Sequence, residues 1–569
     1  MVVTASPEAS VVGARILQRG GNAVDAAIAT QFALAVTYPQ AGNLGGGGFL
    51  IARMAEGTCD AIDFREVAPA AASGSMYLDS EGAPDPRLST STLLGVGVPG
   101  SVAGMALAHE RHATLPWNEL LAPAIALAEQ GFVLDGYMAA HLSIYAPRLS
   151  GHAETRRIFV RDDRAWMRGD TLRQPELART LRRLARNGPA EFYEGETAAL
   201  LVAEMERGGG LINREDLRAY RARLRRPLSG TYRGYTIYSM PPPSSGGVAL
   251  LQMLRVLEGF PLAAWGPHGS RSSHLLAEVM KRAFADRAEF LGDPDLTPVP
   301  IEGLLSDDYL ARMRAGVDLQ RATPALAAGP GMPPGAEAFY DATGDTPGPN
   351  IDALRGAGEN TTHFSIVDAA GNAVAVTTTL NTNYGTAITV TGAGFLLNNE
   401  MDDFAAAPGQ PNYYGLIQGE ANAVRPFARP LSSMTPVIAT RDGDLAFVLG
   451  SPGGPRIITS VLQAIVNLID HGMDIQEAID APRIHHQWQP DSLYLERDAL
   501  AREIRESLEA LGHHLAERDP IGSVQGVRAH WGPQGELKLA GAGDPRRNGC
   551  AVGISAAHLV SRCAQVGLR

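Results

Sequence analysis

A doubled threonine stands where a loose stretch of the chain runs into a tight hairpin pattern, "GENTTHFSIVDAAGNAVAVTTTL". If the peptide bond before Thr361 were cut, the freed α-amino group would have a pKa near ~8 and could act as general base for the hydroxyl of the same residue. One residue would then supply both nucleophile and base. Composition alone favours a plainer interpretation, in which a linker precedes a threonine-rich strand.

Charged residues that could hold a small ligand occur in two other places. Arg65 and Glu66 follow the strand pattern "CDAIDF", and Glu400 and Asp403 lie within "NNEMDD". Taken alone, the first pair is typical of a surface ion pair and the second of a solvated turn. The glycines of "GSPGG", near residue 453, are likewise typical of an ordinary turn before a helix.

The elements that must position these residues can be predicted from capping and periodicity. Ser6 followed by Pro7 predicts a helix start, and Asn22 after two glycines predicts a second, mostly apolar helix. The runs "THFSIVD" and "AVAVTTTL", joined by "AAGN", predict a β-hairpin after Thr361. "GPRIITSVLQAIVNLIDHG" predicts a long helix packed on strands, so we expect one layered body with sheet inside and helices outside.

Composition and charge exclude several classes of protein. The 569 residues are 45% hydrophobic and 19% charged, which is typical of a folded globular protein. A net charge of -12 without a basic block argues against nucleic-acid binding. The longest apolar stretch, 23 to 36, is shorter than the ~20 residues of a membrane span. Only three cysteines occur, Cys59, Cys550 and Cys563, and we expect structural or incidental thiols rather than a disulfide framework.

Other catalytic motifs are missing from the sequence. "GGGG" is not followed by the GK[ST] of a phosphate-binding loop, and no GxSxG elbow occurs. His485 and His486 are adjacent, which is a poor spacing for two metal ligands on one helix face. We expect no metal and no organic cofactor.

Nine blocks, in order, resemble those of the γ-glutamyltransferases, a family of the N-terminal nucleophile hydrolase superfamily. They span nearly the whole chain: "GGNAVDAAIATQFALAVTYPQAGNLGGGGFL", "DFREVAPAAA", "MPPPSSGGVALLQML", "ADRAEFLGDPD", "ENTTHFSIVDAAGNAVAVTTTLN", "LLNNEMDDF", "RPLSSMTPVI", "GSPGGPRIIT" and "APRIHHQW". With this resemblance the plain interpretation of the doubled threonine is no longer favoured.

The resemblance implies an α+β fold, a four-layer αββα sandwich, built from two chains made by self-cleavage between Asn360 and Thr361. Residues 1–360 would form the large subunit, with a mobile C-terminal segment at about 322–360. Residues 361–569 would form the small, catalytic subunit. The two would stay together as a heterodimer. A tail at about 554–569 has no match in the family pattern, and its role is left open.

Site roles follow from the resemblance residue by residue. Thr361 would be the nucleophile and Thr379 its hydrogen-bonding partner, and the backbone N–H groups of Gly453 and Gly454 would stabilise the oxyanion. Recognition of an α-carboxylate and an α-ammonium together needs cations on one side and carboxylates on the other. That recognition would fall to six side chains: Arg65, Ser432 and Ser433 for the carboxylate, and Glu400, Asp403 and Asn381 for the ammonium.

The stretch "AAPGQPNYYGLIQGEAN", 406–422, matches a loop that covers the substrate in many family members, with Tyr414 as its shielding aromatic residue. A lid of this kind excludes water and favours transfer over hydrolysis. Its full length makes the related cephalosporin (glutaryl) acylase type, which lacks the lid, the second choice. An inactive scaffold is the third, and self-cleavage would distinguish it.

The sequence therefore predicts a self-processing γ-glutamyltransferase and glutathione hydrolase. Its donors would be glutathione and other γ-glutamyl compounds, and its acceptors amino acids, short peptides or water. Family members are usually exported, which implies a periplasmic or secreted protein, whereas the sequence as written starts without a signal-peptide pattern and predicts a cytoplasmic one.

Overall fold

The computed structural model describes residues 1–336, 361–518, 520–555 and 558–563. Asn360, the greater part of the predicted mobile segment, and the last six residues of the unmatched tail lie outside these ranges. Within them, helices cover both outer faces of two large antiparallel sheets.

The chain opens as its capping residues predict. Ser6 caps α1 (Pro7–Gln18), whose first residue is the predicted proline. Asn22 caps α2 (Ala23–Thr37) through a reciprocal capping box with Asp25. Every residue of α2 is buried, in agreement with its apolar sequence. This helix lies directly beneath the strands that carry the predicted catalytic residues.

The remaining helices surround the sheets, some packed on the strands and others on neighbouring helices. They are α3 (Pro86–Ser91), α4 (Ser101–His112), α5 (Trp117–Gln130), α6 (Gly136–Leu149), α7 (Ala153–Phe159), α8 (Pro175–Asn187), α9 (Ala190–Glu194), α10 (Glu196–Gly208), α11 (Arg214–Ala219), α12 (Gly246–Leu257), α13 (Leu262–Trp265), α14 (Ser270–Phe290), α15 (Ile301–Leu304), α16 (Asp307–Ala315), α17 (Arg456–Ile469), α18 (Ile475–Asp480) and α19 (Arg502–Ala510). Short 3₁₀ helices occur at Leu93–Gly95, Glu400–Asp403 and Glu420–Asn422.

The strands form two large sheets and two small ones. They are β1 (Val2–Thr4), β2 (Gly47–Arg53), β3 (Cys59–Asp63), β4 (Phe132–Val133), β5 (Thr171–Leu172), β6 (Arg223–Arg225), β7 (Leu228–Tyr232), β8 (Tyr235–Ser239), β9 (Thr362–Val367), β10 (Ala373–Thr379), β11 (Val437–Arg441), β12 (Asp444–Gly450), β13 (Ile484–His485), β14 (Leu493–Leu495), β15 (Leu515–Glu517), β16 (Gln525–Trp531), β17 (Leu537–Gly543), β18 (Cys550–Ser555) and β19 (His558–Cys563). The first large sheet has the order β19-β18-β1-β9-β10-β2-β3-β6, and the second β17-β16-β12-β11-β8-β7.

Alternation of side chains along the strands separates the three largest of the four hydrophobic cores among the described residues. Leu50 of β2 packs outward with α1 and α2, while Phe49 and Ile51 on the same strand pack inward. In the second sheet, Ile438 of β11 packs inward and its neighbour Val437 packs outward with α12 and α17. Successive strand residues face opposite sides of a sheet, so both sheets are buried on both faces. The result is the predicted αββα sandwich.

The predicted hairpin forms at the centre of the first sheet. Strands β9 and β10 are antiparallel, with Thr362 opposite Thr378, and β10 also pairs antiparallel with β2, with Thr379 opposite Gly47. A Cβ atom at Gly47 would lie 2.6 Å from Glu66 Oε2 and 2.5 Å from the carbonyl oxygen of Phe64. A glycine is therefore required where the strand passes Glu66.

The described part of the predicted mobile segment, 322–336, makes hydrogen bonds to residues that follow Thr361. The Ala322 N–H donates to the Leu511 carbonyl at 2.7 Å, and the Ala325 N–H to Asp491 Oδ2 at 2.7 Å. Trp488 Nε1 donates to the Ala325 carbonyl at 2.7 Å. This part is thus anchored on the second half of the chain.

The tail extends the first sheet, and it corrects the expectation about cysteines. Cys550 on β18 lies opposite Cys563 on β19 and forms a disulfide with it, whereas Cys59 is a free thiol. The expectation of thiols is therefore wrong for two of the three residues. The register of the β18–β19 hairpin places the two cysteines opposite each other, and the tail sequence has no pattern that predicts this hairpin. Among the described helices, none has the length and apolar character needed to span a membrane.

Candidate active site

One small cavity between the two large sheets brings together nearly all the residues predicted for the site. Every predicted residue in the described ranges lines it except Gly453: Arg65, Thr361, Thr379, Asn381, Glu400, Asp403, Tyr414, Ser432, Ser433 and Gly454. Asn360 lies outside the described residues. The cavity joins residues that are more than 300 positions apart, from both sides of Thr361.

The predicted nucleophile lies at the edge of the central hairpin. Thr361 directly precedes β9 and is buried, and Thr379 ends the neighbouring strand β10. Their hydroxyl oxygens are 3.2 Å apart, within hydrogen-bonding distance. The Asn381 N–H donates to Thr379 Oγ1 at 2.9 Å, which orients that hydroxyl. Hairpin geometry alone therefore brings the two threonines together.

Arg547 supports Thr361 from the other side. Its Nη1 donates to the Thr361 carbonyl oxygen at 3.1 Å, and the side chain is buried. Tyr38 and Tyr137 lie nearby and help to keep the pKa of Arg547 above its ordinary value, against the lowering effect of burial. This guanidinium is therefore a fixed positive charge that holds the backbone at the predicted nucleophile.

Gly453 and Gly454 adopt backbone conformations that suit glycine, with φ of 139° and 55°. Among the described residues, no acceptor receives a hydrogen bond from either N–H group. Both glycines come just before α17, so the positive end of that helix dipole points toward the same region. The arrangement suits stabilisation of a developing oxyanion.

Arg65, which follows β3, is fully buried at the centre of a charge cluster. Its Nη1 pairs with Glu400 and its Nη2 with Asp403, and its Nε donates to the Pro430 carbonyl at 3.0 Å. Burial alone would lower the pKa of Arg65, but Glu400 and Asp403 outweigh it and leave the pKa raised. Burial raises the pKa values of Glu66 and Glu400. Arg65, predicted to bind the carboxylate, thus pairs directly with Glu400 and Asp403, which are predicted to bind the ammonium.

Ser432 and Ser433 border the cavity with their hydroxyl oxygens already accepting hydrogen bonds. Ser432 Oγ accepts from the Met434 N–H at 3.1 Å, and Ser433 Oγ accepts from Arg287 Nη2 at 3.3 Å. Each hydroxyl hydrogen is therefore available to donate to a ligand. A carboxylate is the ligand class that suits two neighbouring hydroxyl donors beside a guanidinium.

The predicted lid, 406–422, folds over the cavity. Tyr414 Oη donates to the Asn381 carbonyl at 2.8 Å, and a Cβ atom on Gly454 would lie 3.0 Å from the Tyr414 ring. Asn412 holds the turn by accepting from the N–H groups of Tyr414 and Leu416 at 3.0 and 3.1 Å. Tyr414 therefore shields both the predicted oxyanion glycines and the predicted ammonium subsite.

Two other features of the molecule do not form a reaction centre. A larger open cleft, of about 880 Å³, lies between Met1, Asp368 and the β18–β19 hairpin, but no nucleophile paired with a base lines it. His274, Glu278 and His513 are close enough to reach a common metal ion. However, the Glu278 oxygens already pair with Lys281 and Arg282, and this buried positive charge opposes a divalent cation.

Sequence reasoning missed two arginines that the fold brings to the site, Arg287 on α14 and Arg547 near β18. Both lie inside blocks that carry the family resemblance or its expected ending, "ADRAEFLGDPD" and "GAGDPRRNGCAVG". Their place in segments that resemble the family was the only sequence signal that either arginine belongs to the site. It gives no indication of what either side chain contacts.

Comparison with known proteins agrees with this geometry. The family model described as Gamma-glutamyltranspeptidase matches residues 9–554. The chain is 47% identical to the glutathione hydrolase proenzyme of Escherichia coli K12, over 96% of this chain and 90% of that protein. It is 36% identical to the acylase ACY 1 proenzyme of a Pseudomonas species (strain V22), over 98% and 93%. Among solved structures, a cephalosporin acylase from Bacillus halodurans superposes with a TM-score of 0.83 at 27% identity, covering 96% of this chain and 94% of that one. The chain belongs to the γ-glutamyltranspeptidase family.

Proposed function

We propose that this protein is a self-processing γ-glutamyltransferase and glutathione hydrolase. The observation that carries the proposal is the single buried cavity in which the Thr361–Thr379 pair lies beside Arg65, Glu400 and Asp403. Similarity at 47% identity to a glutathione hydrolase proenzyme supports the same activity. The expected donors are γ-glutamyl amides, including glutathione, and the acceptors are amino acids, short peptides or water.

Maturation is proposed to begin with attack of Thr361 Oγ1 on the Asn360 carbonyl carbon. The peptide C–N bond breaks as the acyl group moves from nitrogen to oxygen, and water then hydrolyses the ester. The products are a large subunit, 1–360, and a small subunit, 361–569, whose new terminus carries a free α-amino group. Shared burial around the cavity would keep the two chains together.

In turnover, the Thr361 amine is proposed to accept the hydroxyl proton as Oγ1 attacks the γ-carbonyl carbon of the donor. Negative charge on the carbonyl oxygen is stabilised by the N–H groups of Gly453 and Gly454. The leaving amine takes the proton, and a γ-glutamyl ester of Thr361 remains. An acceptor amine or water attacks this ester, and Thr361 Oγ1 regains its proton.

The proposal is tested by intact-mass analysis and turnover of the wild type beside Thr361→Ala. We expect two wild-type fragments, the smaller beginning at Thr361, and release of p-nitroaniline from γ-glutamyl-p-nitroanilide. The variant should stay as one chain and lose at least about 10³-fold in kcat/KM. Thr362→Ala is the matched control, because Thr362 lies one residue further into β9. A cleaved or active Thr361→Ala variant would refute Thr361 as the nucleophile.

A glutaryl acylase is the second candidate, because acylases occur among both the sequence relatives and the solved structures. The two activities differ in whether the donor must carry an α-ammonium group. Glu400 and Asp403 are proposed to bind that group, and the lid that bears Tyr414 is present. A higher kcat/KM for glutaryl-p-nitroanilide than for γ-glutamyl-p-nitroanilide would favour the acylase.

A further inference from the structure

A second buried arginine lines the cavity, and neither the family resemblance nor the relatives assign it a role. Arg287 lies on α14 with only 2% of its surface exposed. It borders the same cavity as Arg65, Ser432 and Ser433. Its guanidinium comes from the large-subunit part of the chain, whereas both serines follow Thr361.

The hydrogen bonds of Arg287 leave one donor group unused. Its Nε donates to Ser245 Oγ at 3.0 Å and its Nη2 to Ser433 Oγ at 3.3 Å. Nη1 is buried and has no partner among the described residues. A buried N–H group without an acceptor costs about 1–3 kcal/mol, and more when it belongs to a charged side chain. A ligand that supplied an acceptor there would remove this cost.

Arg287 also lacks a direct counter-ion. Within the described residues, no carboxylate lies within the 4.0 Å of an ion pair, in contrast to Arg65 with its three. Burial lowers the pKa of Arg287 to about 10, so the side chain is still charged at neutral pH. A buried cation that faces a cavity without a paired anion is a binding element for an anionic group.

The position of Ser433 indicates which class of anion would bind beside Arg287. Because Arg287 occupies a lone pair of Ser433 Oγ, the hydroxyl hydrogen turns away from the arginine and can donate. Arg287, with its unpartnered Nη1, and the hydroxyls of Ser432 and Ser433 then supply three donors from residues that line one cavity. Two or three converging donors, one of them charged, match a carboxylate.

We infer that Arg287 binds the α-carboxylate of the γ-glutamyl donor directly through Nη1, together with Ser432 and Ser433. This inference rests on the proposed function and adds a binding residue to it. Arg65 then also has a positioning role, because its Nη groups hold Glu400 and Asp403 in place for the ammonium. Selectivity for donors that carry a carboxylate depends on Arg287.

The test uses the self-cleaved enzyme and three p-nitroanilides that differ only in the two charged groups. The γ-glutamyl donor carries carboxylate and ammonium, the glutaryl donor only carboxylate, and the 4-aminobutyryl donor only ammonium. In Arg287→Gln we expect kcat/KM to fall about 10- to 100-fold for the first two donors and to change little for the third. Arg287→Lys should lose less, because it keeps the charge but not the fork.

Arg271→Gln is the matched control, since Arg271 is an exposed arginine of the same helix and does not line the cavity. It should leave the ratio of the three kcat/KM values at the wild-type value. An equal loss for all three donors, in Arg287→Gln or in Arg287→Lys, would show a purely structural role and overturn the inference. If Arg287→Gln does not fold, the Arg287→Lys ratio decides. A wild type that does not cleave the γ-glutamyl donor would refute the proposed function itself.

Discussion

Two buried charge clusters of the molecule differ in how completely their polar atoms are hydrogen-bonded. The first is the Glu278 network, formed by Glu278, Lys281 and Arg282 of α14 together with Thr323. Glu278 Oε1 accepts from Lys281 Nζ and the Thr323 N–H at 3.0 Å each, and Oε2 accepts from Arg282 Nη1 at 2.6 Å. Both oxygens therefore have partners within the protein.

The second cluster consists of the charged residues in and around the cavity of Arg65, and it retains buried atoms without hydrogen-bond partners. In the described part of the chain these atoms include both oxygens of Glu66, Oε2 of Glu400 and Nη1 of Arg287. Buried polar groups are normally hydrogen-bonded, so unpaired ones indicate strain or a missing ligand. Both clusters are charged and buried, so neither property distinguishes them. What distinguishes the structural network from the binding site is whether the buried polar atoms have hydrogen-bond partners within the protein.

The largest expected effect comes from breaking the Glu278 network. Glu278→Ala leaves the buried Arg282 without the carboxylate that it pairs with and Lys281 with Asp491 Oδ1 at 3.9 Å, so we expect the free energy of unfolding to fall by about 3–5 kcal/mol. Urea unfolding measures this loss, and kcat/KM of the folded enzyme should stay near the wild-type value. Glu506→Ala, which breaks the exposed pair with Arg502, should cost less than about 1 kcal/mol. A large loss of activity without loss of stability would contradict the structural role.

A change at Arg65 should instead weaken substrate binding and leave folding and self-cleavage largely intact. Arg65→Lys removes the planar fork that reaches Glu400 and Asp403 together, so we expect KM for the γ-glutamyl donor to rise about 10- to 100-fold. The buried positive charge is kept, and self-cleavage should continue. Steady-state kinetics with γ-glutamyl-p-nitroanilide measure the change. An unchanged KM would show that the cluster is structural, like the Glu278 network.

A smaller effect is expected of pH on stability, through His513 at the edge of the Glu278 network. Burial, reinforced by His274 and Lys281, lowers the pKa of His513 to about 3. In the unfolded chain His513 binds a proton near pH ~6.5, whereas in the folded protein it stays neutral until much lower pH. Its contribution to the free energy of unfolding is therefore fully present above pH ~6.5 and is lost as the pH falls toward 3, by at most about 1.4 kcal/mol per pH unit. His513→Gln should remove this part of the slope in unfolding measurements made between pH 4 and 7.

The comparison that isolates His513 is the difference between the two slopes, since other buried histidines contribute equally to wild type and variant. His363 is one of them, with a pKa lowered by burial to about 3. Identical slopes for wild type and His513→Gln would mean that His513 is protonated in both states or in neither.

The smallest expected effect concerns the lid. Tyr414→Phe removes the hydrogen bond to the Asn381 carbonyl and loosens the cover of the cavity, so we expect the ratio of transfer to hydrolysis to fall about two- to tenfold. Product analysis with glycylglycine as acceptor measures the ratio. Tyr413→Phe is the control, because Tyr413 packs edge-on against Tyr414 with ring centres 5.3 Å apart. Equal effects of both substitutions would exclude a specific role for the Tyr414 hydroxyl.

Much of the fold was predictable because it depends on local patterns. The caps at Ser6 and Asn22, the hairpin after Thr361 and the helix that became α17 follow from turn residues and apolar periodicity. The αββα class and the family are confirmed. The roles assigned to Thr361, Arg65 and the other site residues stay predictions, although the fold places them around one cavity.

The errors and omissions concern contacts that no local sequence pattern indicated. The Cys550–Cys563 disulfide depends on a hairpin in a tail that has no clear strand pattern. Arg287 lies in one of the nine family-like blocks and Arg547 near the end of the family match, yet nothing in the sequence around them shows that one lines the cavity and the other holds the Thr361 carbonyl. Helix α14 carries both Arg282 of the structural network and Arg287 of the cavity, five positions apart.

The sequence by itself determined which chemistry is available, namely a threonine that cleavage would turn into a nucleophile with its own base, and the local elements that hold it. Only the tertiary structure decided which charges are paired inside the protein and which face the cavity. The reason is physical: capping, turn formation and side-chain alternation act over a few residues. Hydrogen-bond satisfaction in a buried site instead depends on groups that the packing of the two sheets brings together from distant positions.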